Sequence, residues 1–204
     1  MADRDADSRG LRENLPKVRA SIQRAAKKRA LPSVADAKVW QRTMMAGLTV
    51  PDRRYVGRFR GEAGLESCEV RVGSAPGAPP ADVARELESF EIRLRAAVAA
   101  LDQRYSVGAE LDADGLAAVI DLAAWAHAEW VRIHPFANGN GRTARVWANL
   151  IFVRYGVPPA VRLRPRPDGG YGAACASAMQ GDWEPTALVF RGMVRSILAA
   201  MTSP

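Results

Sequence analysis

Long hydrophobic runs are missing from this chain. No apolar stretch approaches the ~20 residues that a membrane-spanning helix needs, so nothing in the sequence is read as a membrane segment. The first residues, Met1–Asp7, are short and polar. They lack the apolar core and small-residue cleavage site of a secretory signal, so a cytoplasmic protein is expected. Cysteine is scarce: Cys68 and Cys175 are the only two. They have no metal-ligand spacing and are too few for a disulfide framework, so both are read as ordinary reduced thiols. No internal repeat is found, which sets solenoids aside. Aromatics do not interleave with the basic residues. The net charge of +7 comes mostly from scattered arginines. That pattern makes nucleic acid an unlikely partner, and the cluster Arg24, Lys27, Lys28 and Arg29 is read as a solvated helix end.

What is present suits one globular domain: 204 residues, 48% of them hydrophobic. Helical periodicity dominates. Leu11 to about Arg29 reads as a polar-rich helix whose regular part starts near Pro16, because proline is best tolerated in a first turn. A second helix is expected from about Val34 to Leu48. After Pro51 and Asp52, Tyr55–Arg60 and Ser67–Gly73 are short and contain β-formers, with Gly61 and Gly64 between them. They are read as the two strands of a hairpin, and Ser74–Pro80 as loop. Val83, Leu87, Phe90, Leu94, Val98 and Leu101 then mark one buried helix face. Asp112 is a candidate N-cap for the next helix, whose face is Leu116, Val119, Ile120, Ala123, Ala126, Trp130 and Ile133. From about Gly141 to Arg154 the apolar residues point in all directions, as in a helix buried on every side. Two further helices are expected at Tyr171–Gln180 and Trp183–Met201, with Asp182 as a cap between them. The expected fold is all-α, a helical bundle around one central helix with a single β-hairpin. Residues 1–34 are read as an N-terminal extension and 35–204 as the main domain.

One segment carries chemistry: His134-Pro135-Phe136-Ala137-Asn138-Gly139-Asn140-Gly141-Arg142-Thr143-Ala144-Arg145. Gly139 and Gly141 permit close approach of a ligand to main-chain N–H groups. Those groups open a helix, whose unpaired donors and dipole attract anions. Arg142 can fork onto phosphate oxygens, and Arg145, three residues on, can reach a second phosphate. Phe136 would anchor the loop in the core. His134 is the only nearby base of suitable pKa. His127, among apolar neighbours, is read as a hydrogen-bonded structural histidine. Trp125, Trp130 and Trp147 are read as core, and Asp112 and Asp114 as cap residues.

The segment resembles the signature of the Fic (filamentation-induced-by-cAMP) domain family, His-x-Phe-x-Asp/Glu-Gly-Asn-Gly-Arg-x-x-Arg, at all fixed positions but one. Ala126–Ile133 resembles the helix that leads into the family motif, and Gly57–Arg60 through Val70–Gly73 its β-hairpin flap. Tyr171, Ala174, Gly181-Asp182 and Pro185 resemble its C-terminal region. The resemblance implies a Fic-type fold and a protein adenylyltransferase, with His134 as general base toward a Ser, Thr or Tyr hydroxyl of a target protein. It implies that Gly139, Asn140 and Gly141 bind the α- and β-phosphates of ATP, Arg142 the β-phosphate and Arg145 the γ-phosphate. The target protein would dock on the flap, by strand addition.

Asn138 departs from the pattern: it stands where the family has the Asp or Glu that holds Mg²⁺. An amide oxygen can ligate but brings no charge, so a weaker metal site is expected there, filled by Mg²⁺ arriving with ATP. The inhibitory pattern of the family, Ser/Thr-x-x-x-Glu-Gly/Asn, is matched poorly by Arg9–Asn14. Glu13 is therefore read as a solvated residue near a helix start, and a separate antitoxin protein as the alternative brake on what would then be a toxin, acting in the cytoplasm or delivered into another cell as an effector. Competing readings are a Fic fold with another donor or transferred group, a non-catalytic peptide-binding module, and, on charge alone, a nucleic-acid binder. The phosphorylating branch resembles this chain less, having Ala and Lys at the places of Gly139 and Gly141.

Overall fold

The computed structural model describes residues 9–202. Its helices are α1 (Arg9–Lys27), α2 (Val34–Met45), α3 (Val83–Arg104), α4 (Ala113–Ile133), α5 (Asn140–Arg154), α6 (Tyr171–Ala178) and α7 (Glu184–Thr202). Between α2 and α3 lie a 3-10 turn at Arg53–Tyr55 and two short strands, β1 (Arg71–Val72) and β2 (Ala75–Pro76). The fold is all-α with one hairpin, as expected.

α5 is the centre. Every residue of it except Gly141 and Val153 is buried. α4 and α1 pack along it and α2 touches it, while α4 also carries α3, α6 and α7. Trp147 on α5 meets Trp40 of α2 edge-on at 4.8 Å, Phe90 of α3 at 5.5 Å and Trp130 of α4 at 5.6 Å. Such aromatic packing adds about 0.5–1.5 kcal/mol per pair beyond the area it buries. The helix ends follow the polar punctuation. Asp112 caps α4 through the Gly115 N–H at 2.6 Å, and Asp182 accepts from the Glu184 N–H at 3.1 Å. Ser33 caps α2.

Three expectations need correction. First, α1 runs unbroken through Pro16 rather than starting there. Pro16 cannot supply the N–H that the Arg12 carbonyl would otherwise accept, but Pro16 and Arg12 both lie on the exposed face, where water can serve that carbonyl. The opposite face, Leu11, Leu15, Val18, Ile22 and Ala26, is buried, and it holds the helix together by packing against α5 and α2. Second, the cluster at the end of α1 is not wholly solvated. Arg29, with φ 49°, turns inward and pairs with Asp102 at 2.6 Å. Third, the hairpin lies further along. Arg71 pairs with Pro76 and Val72 with Ala75, around a Gly73-Ser74 turn. Tyr55–Arg60 is not a strand: Gly57 within it and Gly61 just after it are left-handed, and the Arg60 N–H bonds the Pro135 carbonyl. Its backbone partner is the loop after α4, not the other half of a hairpin.

Candidate functional site

The loop between α4 and α5 holds the sequence-predicted residues together. His134 caps the C-terminus of α4 in a left-handed conformation, φ 53° and ψ 55°. A non-glycine residue there is strained, at a cost of order 1 kcal/mol, and persists only when its surroundings hold it. His134 Nδ1 lies 3.0 Å from the Val131 carbonyl. A carbonyl only accepts, so Nδ1 carries the hydrogen and Nε2 keeps its lone pair. Burial lowers the His134 pKa below its usual 6.5, and the charge of Arg60 pushes the same way against the Val131 bond. The imidazole is therefore a neutral base at pH 7.

Phe136 is fully buried, 4.8 Å from the Phe59 ring, and anchors the loop. Asn140 closes it: its side chain accepts from the Phe136 N–H at 2.8 Å and donates to the Phe136 carbonyl at 2.7 Å. The Asn140 amide is thus committed to the loop, and what it can offer a ligand is its backbone N–H. Gly139, with φ 90°, precedes α5 and lies over α2, where a Cβ would come within 3.0 Å of the Met45 methyl. The first-turn N–H groups of Asn140 and Gly141 have no carbonyl behind them in the helix and point out of its end. Thr143 braces this turn, accepting from Trp130 Nε1 at 2.9 Å.

Arg142 and Arg145 are only 4% and 5% exposed. Arg145 donates to the Tyr171 hydroxyl at 3.3 Å and to the Leu163 carbonyl at 3.0 Å, both neutral. No carboxylate pairs with it among the described residues, and its Nε is buried without a partner there. A buried cation held only by neutral groups is poised for an anion. The Tyr171 hydroxyl, which accepts from Arg145, is also hydrogen-bonded to His127 Nε2, 2.7 Å away. Burial pushes the His127 pKa to about 3, so this fully buried histidine stays neutral. It is structural, as expected, and it sets the tyrosine that sets Arg145.

Asn138 is exposed beside the N-terminus of α5. It brings one neutral side-chain oxygen, and no His, Cys, Asp and Glu cluster able to hold a metal occurs among the described residues. That donor chemistry fits a cation held mainly by phosphates rather than one held by the protein. Glu13 lies on the exposed face of α1, paired with Arg9 at 2.8 Å. Its neighbour Asn14 points inward and clamps the end of α2, donating to the Ala46 carbonyl at 2.7 Å.

Two buried polar side chains at this site were not singled out from the sequence. Gln41 of α2 donates to the Tyr55 and Asn138 carbonyls at 3.1 and 3.3 Å and accepts from the Gly57 N–H at 2.5 Å. It sits at core spacing with Ala37, Trp40 and Met44, and a glutamine on such a face is a readable signal. Arg60 is 2% exposed and bonds four carbonyls. Its position in Arg58-Phe59-Arg60 carries no signal of burial.

A central helix buried on nearly all sides, a histidine at the end of the preceding helix and a glycine turn between them define a Fic-type fold. The chain belongs to the Fic/DOC family, whose model matches residues 32–152. Protein adenylyltransferase fic-1 of Caenorhabditis elegans is 46% identical over 66 residues, which are 32% of this chain and 13% of that one. Protein adenylyltransferase Fic of Nematostella vectensis is 45% identical over 67 residues, 32% of this chain and 15% of that one. The match therefore spans a small part of these relatives' length. Among solved structures, Fic-1 of C. elegans has a TM-score of 0.62 at 26% identity, covering 94% of this chain and 50% of that one. BepC of Bartonella tribocorum, solved with bound AMPPNP, has a TM-score of 0.57 at 20% identity over 92% and 87% of the two chains, a likeness of fold alone.

Proposed function

We propose that the protein is an adenylyltransferase that moves AMP from ATP to a Ser, Thr or Tyr hydroxyl of another protein. The observation that carries this reading is a neutral His134, with Nε2 free to accept, next to a helix N-terminus flanked by a buried Arg145 that has no acid partner among the described residues. In this reading the His134 Nε2 takes the hydroxyl proton as the oxygen attacks the α-phosphorus. The O–P bond forms, the bond from the α-phosphorus to the bridging oxygen breaks, and pyrophosphate leaves. The N–H groups of Gly139, Asn140 and Gly141 hold the α- and β-phosphates, Arg142 steadies the β-phosphate and Arg145 the γ-phosphate. Asn138 is the side chain that would touch a Mg²⁺ arriving with ATP; bound there, the ion would neutralise phosphate charge. The target segment adds a strand to β1–β2.

Residues 35–204 form the transferase domain in this proposal and 1–34 an extension carrying α1. A toxin role, with inhibition by a separate protein, belongs to the same proposal. Incubation with ATP labelled at the α- or the γ-phosphorus tests it. Label on protein from the α position alone supports adenylyl transfer; label from γ means phosphoryl transfer, and no label from either means a binding module.

A further inference from the structure

Arg60 lies where three stretches of chain meet. Its Nε donates to the His134 carbonyl at 2.8 Å, and one terminal nitrogen donates to the Ile133 and Ala78 carbonyls at 3.1 and 2.7 Å. The other donates to the Cys68 carbonyl at 3.2 Å, and the Arg60 backbone N–H reaches the Pro135 carbonyl at 2.8 Å. Cys68 precedes β1 and Ala78 follows β2, so one guanidinium holds both feet of the hairpin and the strained residue that bears the base. No carboxylate lies at ion-pair distance from Arg60 among the described residues. A cation this buried with no anion is an expensive way to fill space, since its desolvation is repaid only by hydrogen bonds. The rigid fork of N–H groups is suited to fixing several carbonyls at once. Space around His134 is equally restricted: a Cβ on Gly77 would lie 2.8 Å from the His134 Cβ and 3.1 Å from an Arg60 terminal nitrogen.

We infer that Arg60 is a positioning residue for His134, fixing the left-handed backbone of the base and holding it in register with the feet of the flap that docks the target. This rests on the transferase reading above. Arg60 touches no reacting atom; it acts through the carbonyls of Ile133 and His134. Displacement of a catalytic group by about 1 Å costs about a hundredfold in rate, whereas the phosphate cradle at Gly139–Arg145 sits on α5 and shares no bond with Arg60.

The test compares the full chain with its Arg60→Lys and Gly77→Ala variants, using auto-modification from α-labelled ATP and titration of ATP affinity. Arg60→Lys keeps the charge and loses the fork. It is expected to lower the maximal labelling rate about thirtyfold or more while ATP affinity stays within about threefold. A purely structural arginine would not separate the two, and a folded Arg60→Lys protein that labels within threefold of wild type overturns the inference. Should that variant fail to fold, Gly77→Ala decides: its Cβ presses on the His134 Cβ at 2.8 Å and on the Arg60 terminal nitrogen and a Val70 methyl at 3.1 Å, straining the same Arg60–His134 clamp while leaving the charge in place, so at least a tenfold rate loss at unchanged ATP affinity is expected, and an unchanged rate overturns the inference. Absence of label in the wild type defeats the transferase reading instead. The variants are then read by the imidazole nitrogen NMR shifts of His134, which must move if Arg60 positions it; unmoved shifts reject the positioning role.

Discussion

At the scale of single residues, the proposed transfer turns on the His134 imidazole as its base. Replacing it by alanine removes the base but leaves the Gly139–Arg145 cradle. His134→Ala is expected to lower label transfer by about 10²–10⁴-fold with ATP binding retained, measured by labelling and ATP titration side by side; retained activity in a folded variant removes His134 from the mechanism. The pH dependence follows from the direction of its shift. Burial and Arg60 hold the His134 pKa below 6.5, so the neutral form of the base predominates at neutral pH. Activity should be flat from about pH 7 downward until an acid limb that lies below the ordinary histidine value. A limb centred above 6.5 in kcat/KM would contradict the geometry. Asn138→Asp restores a charged oxygen beside the phosphates and is expected to raise activity or lower the Mg²⁺ requirement; no gain at any Mg²⁺ concentration would mean that Asn138 is not limiting. The motif residues themselves were legible, because His, Phe, two Gly and two Arg in fixed order form a local pattern. Their supports were not. Arg60 is 74 residues from the His134 carbonyl it binds, and no local pattern announces a bond of that range. The commitment of the Asn140 side chain to Phe136, rather than to a ligand, is likewise a matter of how the loop closes on itself, which the residue types do not specify.

At the scale of elements, periodicity was a good guide wherever one face is buried. The buried residues of α3 are Val83, Leu87, Phe90, Leu94 and Val98, five of the six that the spacing picks out, with Leu101 half-buried at the end, and α5 is buried nearly all round. Punctuation misled in two places. Pro16 reads as a helix start, but tertiary packing of the Leu11–Ala26 face outweighs the lost bond, since the freed carbonyl sits on the wet side. The β-formers of Tyr55–Arg60 read as a strand, but a strand needs a neighbour, and this stretch finds the motif loop instead. The correction at α1 bears on regulation. An ordered α1 packed on α5 supplies the scaffold that self-inhibition would require. Glu13 nevertheless faces solvent, half exposed, with Arg9 as its partner. Glu13→Gly is therefore expected to leave auto-modification within tenfold of wild type. A gain of tenfold or more, about 1.4 kcal/mol of barrier, would make Glu13 an internal brake.

At the scale of the whole molecule, Asp102 joins parts of the chain that are far apart in sequence. Its carboxylate accepts from Arg29 beyond α1 at 2.6 Å, from Arg154 at the end of α5 at 2.5 Å, and from the Tyr155 hydroxyl at 2.9 Å. Arg154 also reaches the Ala30 carbonyl at 2.8 Å, and Arg29 the Tyr105 carbonyl at 3.0 Å. One acid thus ties the end of the N-terminal helix, the long α3 and the central helix together at the end of α5 opposite the His134–Gly139 loop. Partial burial would raise the Asp102 pKa, but the hydrogen bonds of Arg154 and Tyr155 and the arginine charges outweigh it and bring it below the usual 3.8. A carboxylate lowered in the folded state contributes stability that is fully present above its unfolded pKa of about 3.9 and is lost as pH falls through the lower, folded value. Asp102→Asn keeps the shape and removes the charge, leaving two largely buried arginines without their anion. Breaking a fully buried pair costs about 3–5 kcal/mol, and the partial exposure of Asp102 reduces that to about 2 kcal/mol at neutral pH. For a domain of this size the loss corresponds to a fall in melting temperature of roughly 4–8 °C. Melts of the wild type and the variant at pH 7 and pH 3 check both parts: the gap should be full at pH 7 and narrower at pH 3. Equal melting temperatures at pH 7 would show that the network orders the arginines without stabilising the fold, and a gap that does not shrink in acid would show that packing, not charge, is what Asp102 contributes.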